Sequence, residues 1–464
     1  MSQSIETTNG DNVTVSIKTN GSVQTTEVST GSSTPVETSP EAAAADTFDN
    51  EVAIRPNAAD EVPDLLKKVT SLGGAYANIT DENTRAEFLD TARSLVYALE
   101  TPREAMIRYC WSQSTLYAAI ETCVDLGVFP VLSKDDTPKT ATELAEATNA
   151  DPAMLARLLK HLGAMGVIKE TGPDTYRRNG FSTSLSAKRY SDAYPCMTGC
   201  ITFGLTSLPA HLKNTSYRNP SDGRHAAFQD GYRTASHFFE YLQSHPAHAE
   251  QFNNHMTAYH QGRPSWMDPG FYPVASLTQG VGPTGTIGDE DVLLVDVGGG
   301  VGHDLSEFRR KWPDLPGRLV LQDLGEVIEQ ARAMNRATDA GAQGGIEAVV
   351  HDFFTEQPVK GARAYYMHSV LHDWTDADCR RILSNLVPAL QRGYSKILIN
   401  ENVIPSTNAY WETTSLDIIM MADFASQERT EKQWHALVES VGLKVVKIWT
   451  VRRGVESLIE CELA

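Results

Sequence analysis

The rhythm of apolar and polar positions changes three times along this chain. From residue 1 to about Pro56, large apolar side chains are sparse among Ser, Thr, Asn, Gly and acidic residues. Such a stretch buries too little surface to offset its ordering entropy, so residues 1–58 read as a disordered tail. Val13-Thr14-Val15-Ser16-Ile17 alternates as a strand would, with no evident partner nearby. Helical spacing sets in at Val62 and recurs over Val62–Ser71, Glu87–Leu99 and Ala105–Leu126. A compact helix-turn-helix follows. Thr140–Ala147 is its first helix; Asp151 caps a second that opens on Pro152 and aligns Leu155, Leu158, Leu159 and Leu162. Val167–Glu170 and Thr175–Arg177 flank Gly172-Pro173-Asp174 as a hairpin, which completes a winged helix within residues 59–193.

Residues 194–280 are helical, aromatic and rich in histidine, with the properties of a lid. Beyond them strand and helix alternate. Strands are predicted at Val292–Val297, Arg318–Gln322, Ala348–His351, Ala364–Met367 and Lys396–Asn400. Their near-continuous apolar runs suit a parallel sheet covered on both faces. Lys444–Thr450 and Glu456–Cys461 are separated only by a turn at Arg453-Gly454, so they pair antiparallel. The pattern predicts an α/β fold: a Rossmann-like domain over 194–464, with a seven-stranded sheet and an antiparallel last strand, behind an N-terminal helical winged-helix domain.

Charge narrows the partners. The formal net charge is −19, which opposes binding to phosphate backbones and anionic lipid. The second helix of the winged helix offers only Arg157, Lys160 and His161 to a nucleic acid, so this module reads as packing or dimerisation. No apolar run approaches the ~20 residues of a membrane span, and no basic, apolar signal opens the chain. Six scattered cysteines read as reduced thiols of a cytosolic protein. His245-x-x-His248, His255 and Cys196-x-x-x-Cys200 lack a completed ligand pattern, and no metal is expected.

The candidate chemistry lies at strand ends. Asp296-Val-Gly298-Gly299-Gly300-Val-Gly302-His303 is a strand feeding a glycine turn into a helix, where the backbone can approach a ligand. A dinucleotide fingerprint would need Gly or Ala in place of His303; Gly-x-Gly-x-Gly behind Asp296 suits an amino-acid head and a ribose instead. Asp323 ends the second strand, where a carboxylate can accept from ribose hydroxyls. Asp352 ends the third, followed by Phe353 and Phe354, an apolar clamp for an adenine ring. Each carboxylate alone reads better as a helix cap, and it is three successive strand ends carrying the right groups that favour the ligand reading. The fourth strand runs into His368-Ser-Val-Leu-His372-Asp-Trp, with Thr375 capping the next helix, which leaves His372 in a loop at the sheet's carboxyl edge. Glu401 follows the fifth strand, and Glu428 follows the helix Thr414–Phe424. A histidine between two carboxylates has the composition of a general base with its orienting partners.

The stretch from Asp296 to Thr430 resembles the O-methyltransferases of plant and fungal secondary metabolism, of the caffeic acid and sterigmatocystin type. The likeness extends upstream through the winged helix and covers roughly residues 62–464. It implies S-adenosylmethionine as cofactor, a small aromatic or polyketide-like acceptor with a phenolic or enolic hydroxyl, and a homodimer built on the winged-helix domain. Carried over by motif, His372 is the expected base and Glu401 and Glu428 its flanking carboxylates. Asp296, Gly298, Gly300, Asp323, Leu324, Asp352, Phe353 and His368 are the expected cofactor contacts; many plant members carry Lys at the position of His368. Phe252, Met256, Met420 and Phe424 align with substrate-lining positions. Relatives of this fold that catalyse a pericyclic or dehydrative step are a second reading, and a non-catalytic cofactor-sensing regulator is a third.

Overall fold

The computed structural model of the 464-residue chain describes residues 3–7, 12–19, 22–29, 50–75, 82–259, 261–278, 287–334 and 345–464. The chain forms two compact units, Met1–Ser114 and Thr115–Ala464. That division falls inside the stretch that helical spacing assigns to one domain, residues 59–193. The single helix expected over Ala105–Leu126 is interrupted there: Pro102–Ile107 leads into a π-helical turn, Arg108–Ser112, and then Gln113–Asp125.

In the first unit, Gln3–Thr7, Asn12–Thr19 and Ser22–Ser29 form a three-stranded antiparallel meander. Val13–Ile17 therefore has partners on both sides, contrary to the expectation that nothing nearby would pair with it. The overlooked signal is Asn20-Gly21, a dipeptide favoured in two-residue hairpins, between the paired residues Thr19 and Ser22. The part of the expected disordered tail over residues 30–49 lies outside the described residues. Helices Val62–Ala75 and Glu82–Leu99 pack on each other. Tyr97, Met106, Tyr109 and Trp111 remain exposed.

The second unit contains the expected winged helix. Asp151 accepts the Met154 N–H at 2.8 Å and caps Pro152–Ala164. Leu144, Leu155, Leu159, Leu162 and Tyr176 are fully buried, whereas Leu158 is only partly so. The wing pairs Lys169–Gly172 with Thr175–Arg177, and Lys139–Thr140 adds a third short strand. The segment expected to be a lid consists of the helices Ala193–Cys200, Thr202–Asn214, Ala227–Tyr232, Phe238–Ser244 and α1, Pro246–Tyr259. Cys196 and Cys200 are buried there as free thiols with Sγ atoms 3.8 Å apart. His245 and His248 stack against Tyr241.

The main sheet has seven strands: β1 Val292–Val297, β2 Arg318–Asp323, β3 Ile346–Val350, β4 Ala364–His368, β5 Lys396–Glu401, β6 Leu443–Trp449 and β7 Ser457–Leu463. Their order is β6-β7-β5-β4-β1-β2-β3, and only β7 runs antiparallel to its neighbours. Alternate side chains enter two cores. Leu294, Leu319, Leu321, Tyr366 and Leu398 face one layer, while Val295, Val320, Tyr365, Ile397 and Ile399 face the other. Burial on both faces explains the unbroken apolar runs in the sequence.

Candidate active site

The strand ends of β1, β2, β4 and β5 gather at one edge of the sheet. After β1 the chain turns through Gly298 and Gly300, both with positive φ (73° and 59°), and enters α2, His303–Lys311. At Gly299 an added Cβ would lie 2.4 Å from the Asp296 carboxyl group, so only glycine fits. The Gly300 N–H donates to Asp323 Oδ2 at 2.8 Å, and the Leu324 N–H donates to Asp323 Oδ1 at 2.7 Å. Each oxygen keeps a lone pair for a further donor such as a ribose hydroxyl. Burial raises the Asp323 pKa against the lowering effect of these two N–H groups. Asp296 is buried with Oδ2 lacking a hydrogen-bond partner, and burial together with nearby Asp304 raises its pKa well above the usual carboxylate range. An orphaned buried acceptor beside a backbone cradle fits the cationic amino-acid head of S-adenosylmethionine.

Phe353 and Phe354 meet Trp374 edge-on, with centroids 5.8 and 4.8 Å from it, and Phe353 also lies beside Gly298. Asp352 is exposed and accepts the Phe354 N–H, so locally it caps a turn. Leu324 is 46% exposed beside Asp323, an apolar side chain left at the rim. His368 is engaged on both ring nitrogens: Asp304 lies 2.6 Å from Nδ1 and Glu456 lies 3.0 Å from Nε2. Burial opposes its charge, but these two carboxylates outweigh burial and hold its pKa well above the ordinary histidine value.

His372 occupies a 3-10 turn, Leu371–Asp373, and is 8% exposed. Its Nδ1 lies 2.7 Å from Glu428 Oε1 and 3.8 Å from Glu401 Oε2, while Nε2 is 3.5 Å from Asp373 Oδ1. The two glutamates do different things. Glu428 bonds the ring, whereas Glu401 Oε1 accepts the backbone N–H groups of Val370, Leu371 and His372 and shapes the turn that carries it. Burial would lower the His372 pKa, yet Glu401, Asp373 and Glu428 together raise it well above normal. In turn, burial pushes Asp373 up to about 6 despite the neighbouring imidazole. His372, Glu401 and Glu428 offer ligand-type atoms within 4.8 Å of one another, a spacing also open to a metal ion. Two ligands of one tetrahedral metal stand about 3.3 Å apart, so the 2.7 Å Nδ1–Oε1 contact is that of a shared proton.

Of the expected substrate-lining residues, Met420 and Phe424 are buried on a π-helical turn, Met420–Phe424, in the lid core. Phe252 and Met256 lie on α1, where Phe252 meets Phe238 edge-on. Several site residues escaped the sequence reading. Arg429 is fully buried and donates to the Leu371 and Trp374 carbonyls and to Asp376, fixing the His372 turn from below. Its place directly after Glu428 was an available signal. Asp304, directly after His303 at the end of the glycine turn, offered a signal of the same kind, whereas Glu456 comes from a segment far away in sequence and carried none.

A Rossmann-like sheet with one antiparallel strand, a glycine turn after β1 and an acidic end to β2 defines an S-adenosylmethionine-dependent methyltransferase domain. A family model described as an O-methyltransferase domain matches residues 291–444, and one described as an O-methyltransferase dimerisation domain matches residues 109–189. The O-methyltransferase mpaG of Penicillium brevicompactum is 38% identical over 86% of this chain and 98% of its own length. The demethylsterigmatocystin 6-O-methyltransferase of Aspergillus parasiticus is 35% identical over 70% of this chain and 79% of its own length. Two solved structures, LepI with S-adenosylmethionine and one described as a pericyclic reaction enzyme, are each 29% identical. Each covers 87% of this chain and 100% of its own, with TM-scores of 0.77 and 0.75. The chain belongs to the O-methyltransferase family, and its cofactor is S-adenosylmethionine.

Proposed function

We propose that the chain methylates a phenolic or enolic hydroxyl of a small aromatic or polyketide-like metabolite, with His372 as general base. The observation that carries this reading is the buried His372–Glu428 pair at 2.7 Å, which occupies Nδ1 and leaves Nε2 for the acceptor's proton. Bound S-adenosylmethionine supplies an electrophilic methyl group. A phenol titrates near ~10 and an ordinary imidazole near ~6.5, a mismatch on the order of 5 kcal/mol. The carboxylates around His372 narrow it by raising the histidine pKa. Glu401 holds the turn, Glu428 orients the ring, and Asp296, Gly298, Gly300, Asp323, Leu324, Asp352, Phe353 and His368 hold the cofactor. Phe252, Met256, Met420 and Phe424 bound the acceptor. A relative named for demethylsterigmatocystin supports an aromatic acceptor.

The likeness to a pericyclic reaction enzyme keeps a second reading in view; the complete His372–Glu428 base favours methyl transfer. We also propose a cytosolic homodimer, supported by the dimerisation-domain match and by exposed Tyr97, Tyr109 and Trp111. The base assignment is tested by His372→Ala. Methyl transfer to a panel of phenols should fall by ~10²–10⁴ while calorimetry shows unchanged cofactor affinity. A fall in affinity that matches the loss of rate would move His372 out of the base role.

A further inference from the structure

Sheet order gives the proposed cofactor site a direction, and this inference rests on those proposed contacts. Asp323 ends β2 and Phe353 follows β3, so ribose and adenine lie on the β2–β3 side of the glycine turn. The amino-acid head is left to the β1–β4 side, beside Asp296 and His368. That head carries a carboxylate as well as an ammonium group. Acceptors for the ammonium are at hand in Asp296 and the neighbouring acids. The carboxylate needs a cation, and His368 already spends both ring nitrogens on Asp304 and Glu456.

Arg263 is a second cation near His368, facing the same Glu456 carboxylate. It lies just beyond α1, with its side chain 14% exposed and its guanidinium over the Tyr259 ring at 4.2 Å. Nη2 is bonded to Glu412. Nη1 is buried without a hydrogen-bond partner, and the Glu456 carboxylate that also holds His368 comes no nearer to it than 3.9 Å. A buried guanidinium N–H without an acceptor is costly unless a ligand supplies one. Stacking on Tyr259 and the bond to Glu412 meanwhile fix the orientation of the free donor.

We propose that Arg263 Nη1 receives the α-carboxylate of the S-adenosylmethionine head, which makes Arg263 a positioning residue for the methyl group. Arginine suits the task because its planar fork can bind Glu412 with one nitrogen and present the other to a second carboxylate.

Calorimetric titration of the full chain with three ligands tests the proposal: S-adenosylhomocysteine, its decarboxylated analogue, and 5′-methylthioadenosine, which lacks the whole amino-acid head. In Arg263→Gln, affinity for S-adenosylhomocysteine should fall ~10–100-fold, the range of a lost charge-assisted hydrogen bond. Affinity for the other two should hardly change. Arg263→Lys, which keeps the charge, should recover part of the loss. Equal weakening of all three ligands would show that Arg263 only supports the lid, and unchanged affinity for S-adenosylhomocysteine would remove it from the site; either result overturns the proposal. No acceptor enters these titrations, so their outcome is independent of which hydroxyl is methylated.

Discussion

Glu428 ties up one nitrogen of His372, and three carboxylates together raise the pKa of the ring. The consequence is a pH dependence of defined sign. Below its raised pKa the imidazole is protonated and cannot accept a proton, so turnover should climb with pH along a limb above the ordinary histidine range. Glu428→Gln removes one of the charges that raise the pKa. That variant should move the limb to lower pH and slow turnover less than His372→Ala, because the base itself survives. An unmoved limb in Glu428→Gln would mean that the profile reports another group. On the cofactor side, Asp323 already accepts two backbone N–H groups and has capacity left for a ribose. Asp323→Ala should weaken S-adenosylhomocysteine binding by ~1–3 kcal/mol; unchanged affinity in a folded variant would place the ribose elsewhere.

Among the elements, the π-helical turn Met420–Phe424 holds a group that pattern reading could not have found. Asp423 is fully buried between lid helices, with both carboxyl oxygens unpartnered and one packed onto Gly204. Burial raises its pKa well above the usual value, so the folded state prefers the protonated form. Stability tied to that proton is complete below the unfolded pKa and drains away as pH rises above the ordinary aspartate range. Asp423→Asn should therefore melt higher than the native chain at alkaline pH, by a margin that shrinks towards pH 5; a constant margin would refute the buried acid. The contrast shows what the sequence made legible. Strand ends announce themselves, since apolar runs stop at Asp296, Asp323, His368 and Glu401, and parallel topology brings such ends to one edge. Asp423 reads in sequence as one more polar residue, and the Arg263–Glu412 bond spans 149 residues that no local rhythm links.

For the molecule as a whole, the family accounts for most but not all of the chain. The alignment with mpaG covers 98% of that protein but 86% of this one, so the shared body is nearly complete without the surplus. Deleting residues 2–50 should accordingly leave turnover and oligomeric state nearly unchanged, as gel filtration and a methyl-transfer assay would show. A large loss of either would give the N-terminal meander a role in the working enzyme. Among the described residues no helix is long and apolar enough to cross a membrane. The net charge of −19 directs attention to small neutral or cationic acceptors rather than polyanions.

Methyl transfer shows itself most plainly in its stoichiometry. The native enzyme is supplied with methyl-labelled S-adenosylmethionine and a panel of phenolic and polyketide-like acceptors. Label in the extracted product and S-adenosylhomocysteine are followed together. Both should rise one for one, with the label in a methyl ether, and both should fall with His372→Ala. Consumption of an acceptor to a rearranged or dehydrated product, with S-adenosylhomocysteine at background, would rule out methyl transfer as the native reaction.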